Sequence, residues 1–277
     1  MEALKKLYNA NTKGNYVCVG LDTDLKKIPK HLLIEKKPVA EFNRQIIEAT
    51  KSYAAAYKIN LAFYECYGTE GVKNLEETLR AIPSDILTIA DGKRGDIGNT
   101  SQMYAMSFYE HFKFDSTTLN PLMGKDSLEP FLEYFDKLNF ILALTSNPGS
   151  ADFQKEQLKN GEKLYQYTIK KILEWNVNSN CGIVFGATNL KELSDNLHLI
   201  KNLPILIPGI GAQGGDLNEL TETLFGAGIN SFLVSQLLLP ESDILSRFLL
   251  SLMIAIYTIS IDIKVLSYEN AFRQGRA

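Results

Sequence analysis

The stretch "ILTIADGKRGDIGNT", residues 86–100, runs a short apolar segment straight into four charges, Asp91, Lys93, Arg94 and Asp96. Residues 86–90 have the aliphatic content of a strand covered on both faces, which is the pattern of a parallel sheet. A solvated loop would account for the charges by themselves. The question is whether other apolar runs in the chain end the same way.

They do. Runs rich in Val, Ile, Leu and Ala recur as "YVCVGLD" (16–22), "AAAYKIN" (54–60), "STTLNPL" (116–122), "FILALTSN" (140–147), "CGIVFGA" (181–187), "PILIPGI" (204–210) and "NSFLVS" (230–235). Stretches with helical apolar spacing lie between them, among them 39–52, 73–82, 162–175 and 217–228. About eight strands alternating with helices is the count that closes an α/β fold of the (β/α)8 TIM-barrel type. The rival, a doubly wound open sheet, would place G-x-G-x-x-G after the first strand, and none follows there. A length of 277 residues suits one such domain spanning 1–277.

Barrel active sites sit at the C-terminal ends of the strands. Here strand one ends in Asp22, strand two in Lys58 and Asn60, strand three in Asp91 and Lys93, and strand five in Thr145, Ser146 and Asn147. In a barrel these groups converge on one mouth. Asp91 and Lys93, two apart, point to one side of a strand, with Asp96 on the loop beyond. Neighbouring carboxylates favour the charged form of a lysine, so Lys93 reads as a proton donor and a poor base. An ion-pair network closing the barrel top is the plain structural alternative. The turn "IPGIGAQGGD" (207–216) follows strand seven, where glycines let backbone N–H groups approach a phosphate. An ordinary glycine-rich turn is the alternative there.

Composition narrows the classes. Lys and Arg number 29 against 32 Asp and Glu, with no basic cluster, so there is no footprint for nucleic acid and partners are expected to be small molecules or copies of the chain. Cys18, Cys66 and Cys181 are odd in number and lack metal spacing, which suggests reduced thiols in a cytoplasmic protein. The first residues contain no apolar signal-peptide core. His31, His111 and His198 share no metal or triad spacing and read as surface or packing residues, so no metal site is expected. Glu65 is a possible site carboxylate by position, and Trp175 reads as core.

Taken together, "VGLDTD" (19–24), "YKINLAFYECYG" (57–68), "DGKRGDIGNT" (91–100), "TLNPLMGKDSLEPF" (118–131), "LTSNPGSADFQ" (144–154), "VFGATN" (184–189) and "PGIGAQGGD" (208–216) resemble the orotidine 5′-phosphate decarboxylase family, in its longer bacterial-type branch. The resemblance implies cofactor-free conversion of orotidine 5′-phosphate to uridine monophosphate (UMP) and CO2, the last step of de novo pyrimidine synthesis. It implies catalytic roles for Asp91, Lys93 and Asp96, with Lys58 orienting the charges and, with Asp22 and neighbouring Asn60, holding the ribose. Asp96, Ile97 and Thr100 are expected to enter the neighbouring subunit's site, which implies a homodimer. Thr145 and Ser146 match positions at the pyrimidine ring. Pro208, Gly211 and Gln213 match the loop that closes over the phosphate.

The family pattern breaks at the end of the chain. Strand eight should run into an arginine that grips the phosphate, whereas "FLVSQLLLP" (232–240) has none and the next arginine is Arg247. The resemblance stops near residue 235, and 236–277 are atypical. Residues 244–263 are nearly all apolar, but Arg247 and Asp262 interrupt them and no other segment supports a membrane reading. A displaced last helix packing into an oligomer interface and an altered reading frame both remain open. Two other functions stay in view: a metal-dependent sugar-phosphate decarboxylase of the same superfamily, and a UMP-binding dimer without turnover.

Overall fold

The computed structural model describes residues 2–200, 202–210 and 215–237. Gly211 and Gln213, and the atypical segment from 238 onward, lie outside the described residues. Eight parallel strands, β1 (Val17–Gly20), β2 (Ala54–Asn60), β3 (Leu87–Arg94), β4 (Ser116–Leu119), β5 (Leu138–Leu144), β6 (Cys181–Phe185), β7 (Ile205–Pro208) and β8 (Phe232–Leu237), close into a barrel in chain order, β8 pairing back onto β1. The helices are α1 (Glu2–Thr12), α2 (Pro38–Thr50), α3 (Ala62–Glu65), α4 (Gly68–Ala81), α5 (Gly98–Met106), α6 (Glu129–Leu132), α7 (Leu164–Trp175), α8 (Leu190–Ile200) and α9 (Leu217–Gly226).

Local chemistry accounts for these elements. In α2, Pro38 occupies the first turn, where a missing N–H costs nothing, and Val39, Phe42, Ile46 and Ile47 form its buried stripe. Asp216, the last residue of the glycine-rich turn, caps α9 by accepting from the Glu219 N–H at 3.0 Å. The fourth strand is shorter than its apolar run suggests. Pro121 cannot donate to a ladder, and Asn120 instead accepts from the Leu122 N–H, turning the chain after Leu119.

Period-two alternation separates two cores. Cys18, Ala56, Ile89, Phe140, Val184, Leu206 and Leu233 point into the barrel, while Tyr57, Ala90, Ile141, Ile183, Ile205 and Val234 pack outward against the helices. Gly182 makes room inside for Phe140, whose ring would stand 2.8 Å from any added Cβ. Ala3 and Leu7 of α1 join the interior cluster, and Lys6 pairs with Asp115 just before β4. Thus α1 covers the N-terminal end of the barrel, a role its sequence did not disclose. Chemistry is left to the opposite, C-terminal mouth. Among the described residues no helix is long and apolar enough to cross a membrane.

Candidate active site

At that mouth lies a cavity of about 390 Å³ lined by Asp22, Lys58, Asp91, Lys93, Thr118, Thr145, Ser146 and Pro208, among others. Its centre is the Asp91 carboxylate. One oxygen accepts from Lys58 Nζ at 2.9 Å, and the other accepts from Lys93 Nζ at 2.6 Å and from the Thr118 hydroxyl at 2.9 Å. Asp22 stands 3.6 Å from Lys58 and accepts from the Asn60 backbone N–H at 3.1 Å. The Asn60 side chain turns away to accept from the Ala62 N–H, so Asn60 meets the charge array through its main chain.

Charge states follow from this geometry. Burial opposes ionisation of Asp91, but Lys58 and Lys93 outweigh it and hold the carboxyl down at about 2. Burial likewise opposes the charge on Lys58, and Asp91 and Asp22 more than compensate, so its pKa is raised. For Asp22 burial prevails over the attraction of Lys58, and its pKa is raised. Beneath them Cys18 sits in the apolar interior, where burial pushes the thiol up to about 12. The array therefore sets the Asp91 carboxylate between the Lys58 and Lys93 ammonium groups, with Asp22 on the far side of Lys58 and the Lys93 side chain still 48% exposed at the rim.

The approach of Lys93 to Asp91 does not come from simple strand alternation. Ala90 pairs with Thr117 and Arg94 with Leu119, so Asp91, Gly92 and Lys93 stand opposite Thr118 alone. The strand bulges, and Lys93 takes a left-handed backbone with φ 47°. A bulge re-aims side chains, and a non-glycine residue in this region is costly enough to need support. Gly95 then passes so close to Asn120 that an added Cβ would lie 2.6 Å from the Asn120 carbonyl oxygen.

Thr145 and Ser146, at the end of β5, are fixed by groups the sequence had not singled out. Gln154 accepts from the Thr145 N–H at 2.7 Å, Asn189 donates to the Thr145 carbonyl at 3.0 Å, and Thr188 donates to the Ser146 carbonyl at 3.0 Å. Gly186 lets β6 pass within contact of Ser146. Two further residues resolve differently from their sequence positions. Arg94 points outward over the rings of Tyr104 and Phe108, and Glu65 pairs with it there. His31, His111 and His198 are all exposed, and Trp175 is partly buried against the core.

Asp96, Ile97 and Thr100 are not gathered into this cavity. Asp96 accepts from the Ile97 N–H at 2.8 Å, Ile97 is 57% exposed, and Thr100 lies exposed in the first turn of α5. Among the described residues no group of three or more His, Cys, Asp or Glu side chains is placed to hold a metal ion.

The profile of the Orotidine 5′-phosphate decarboxylase / HUMPS family matches residues 15–233. An orotidine 5′-phosphate decarboxylase from Parabacteroides distasonis is 50% identical over 217 residues, covering 77% of this chain and 78% of its own length. One from Christiangramia forsetii is 51% identical over 212 residues, covering 75% of this chain and 77% of its own. The solved OMP decarboxylase of Leishmania donovani superposes with a TM-score of 0.78 at 32% identity, covering 92% of this chain and 99% of that one.

Proposed function

This chain belongs to the Orotidine 5′-phosphate decarboxylase / HUMPS family, and from that premise we propose that it converts orotidine 5′-phosphate to UMP and CO2 in pyrimidine biosynthesis. The observation that carries the reading is the buried Asp91 carboxylate held between Lys58 and Lys93 at the barrel mouth.

The chemistry explains why such an array is useful. When the bond from C6 to the carboxylate breaks, CO2 departs and the electron pair stays on C6, in the ring plane, where the π system cannot spread it. A fixed ammonium stabilises that charge electrostatically and then donates a proton to C6, giving UMP. Lys93 is the group we assign to both steps. It regains its proton from solvent after product leaves. Asp91 faces the substrate carboxylate and orients Lys93, while Lys58 and Asp22 hold the ribose. We assign Thr145 and Ser146 to the pyrimidine edge, and Pro208, with Gly211 and Gln213 of the sequence that follows it, to phosphate binding. The electron pair needs no sink beyond the ammonium, so neither metal nor organic cofactor enters the reading. Three unbridged thiols, two of them buried, accord with a cytoplasmic location.

A homodimer with shared sites completes the proposal. Lys93 is too exposed to stabilise a carbanion in water, and Asp96, Ile97 and Thr100 project from the rim without a role in their own cavity. Met103 and Met106 on α5, and Leu122 and Met123 in the turn after β4, are exposed apolar residues on the segments that follow β3 and β4 at the same end of the barrel. A second copy placed there would dry the site and bring Asp96 to it.

The test is a spectrophotometric assay of orotidine 5′-phosphate with and without EDTA. EDTA-resistant formation of UMP is expected. Loss of activity in EDTA would favour a metal-dependent sugar-phosphate enzyme, and UMP binding without turnover would favour a binding dimer.

A further inference from the structure

The bulge in β3 leaves the Lys93 N–H without a ladder partner, and the Thr118 hydroxyl oxygen accepts it at 3.0 Å. The proton of the same hydroxyl goes to Asp91, on the oxygen that also receives Lys93 Nζ. Thr118 is 2% exposed, so water has little access to its hydroxyl. A hydroxyl has one proton and two lone pairs, which lets it serve as acceptor and donor at once. Valine has the same shape and can do neither.

We propose that Thr118 is a positioning residue for the decarboxylation: it latches the left-handed Lys93 backbone to the Asp91 carboxylate and so sets where the ammonium stands. The inference rests on the decarboxylase reading above. Its physical basis is that Lys93 is joined to Asp91 at both ends, through its ammonium directly and through its amide by way of Thr118. Without the hydroxyl, the side-chain ion pair remains but the backbone from which Lys93 springs is released. An error of about 1 Å in a reacting group costs up to about 100-fold in rate.

The experiment compares Thr118→Val and Thr118→Ser with the unaltered protein. Thr118→Val should lower kcat by about 10- to 100-fold while KM and the Kd for UMP stay within about threefold, because those report contacts to ribose, base and phosphate. Thr118→Ser keeps the hydroxyl and should restore most of the rate. Equal impairment of both variants, or full activity of Thr118→Val, would overturn the inference. If Thr118→Val does not fold, Thr118→Ala read against Thr118→Ser decides in the same way. A second readout does not depend on turnover: a carbon-13 titration of the Asp91 carboxyl in ligand-free protein. Loss of the donated hydrogen bond should move that titration upward in Thr118→Val and leave it in place in Thr118→Ser. If the unaltered protein does not decarboxylate orotidine 5′-phosphate, the functional reading fails, while an unmoved titration would sink the latch alone.

Discussion

Asp91 binds three donors at once, and its effect on the molecule separates into catalysis and stability. For catalysis, Lys93→Ala removes the proposed proton donor and should lower turnover at least about a thousandfold, since even one lost transition-state donor costs 100- to 1,000-fold. UMP binding should remain measurable by calorimetry, and residual turnover within tenfold would remove Lys93 from its role. For stability, the folded carboxyl lies near 2 against an ordinary value of 3.8. Its contribution is therefore complete above pH 4 and is lost as pH falls from about 4 to 2, and it amounts to something on the order of 2 kcal/mol. Asp22, with its raised pKa, acts in the opposite sense. Thermal melts from pH 5 to 2.5 should fall less steeply for Asp91→Asn than for the unaltered protein. Parallel slopes would show that Asp91 is not the group responsible.

At the scale of elements, the site is an agreement among strand ends. β2 supplies Lys58, β3 supplies Asp91 and Lys93, β4 supplies Thr118, and the end of β5 supplies Thr145 and Ser146. The last pair depends on Gly186 after β6, where an added Cβ would lie 2.6 Å from both the Cα and the backbone N of Ser146. Backbone cannot yield as a side-chain tip can. Gly186→Ala should therefore destabilise the protein by about 1–3 kcal/mol and, in the fraction that folds, raise KM by displacing Ser146. A calorimetric melt with steady-state kinetics checks both, and unchanged values would mean that the β5 end has slack that its hydrogen bonds do not suggest.

The whole molecule adds two expectations. If sites are shared, mixing Lys93→Ala with Asp96→Ala subunits restores one intact site in each mixed dimer, giving about a quarter of full activity after random exchange. No recovery, with mixed dimers demonstrated, would eliminate the shared site. The second concerns alkaline stability. Burial raises Cys18 and Cys181 to about 12, so both stay neutral in the folded barrel when the unfolded chain has begun to ionise near 9. Each then removes about 1.4 kcal/mol per pH unit above 9. Lys58, with its raised pKa, keeps its contribution below about 10.5 and loses it as pH rises further. The melting temperature should fall from pH 9 upward, and less so in Cys18→Ala than in the unaltered protein.

The barrel itself was legible in the linear chain, because strands buried on both faces read as apolar runs and their number and alternation with helices leave few ways to close. The charges at the strand ends were legible for the same reason, since a barrel must bring those ends together. Gly186 and Thr118 were not. Whether a glycine or a threonine matters depends on what faces it across the sheet, and that partner lies 40 residues away for Ser146 and 25 for Lys93. Asp91 and Lys93 do meet, as their spacing suggested, but through a bulge and a left-handed residue that period two does not contain. Residue types and their spacing determined which groups could meet at the mouth. Tertiary structure decided how they are held, because hydrogen bonds between strands and the room left by a missing Cβ exist only once the barrel has closed.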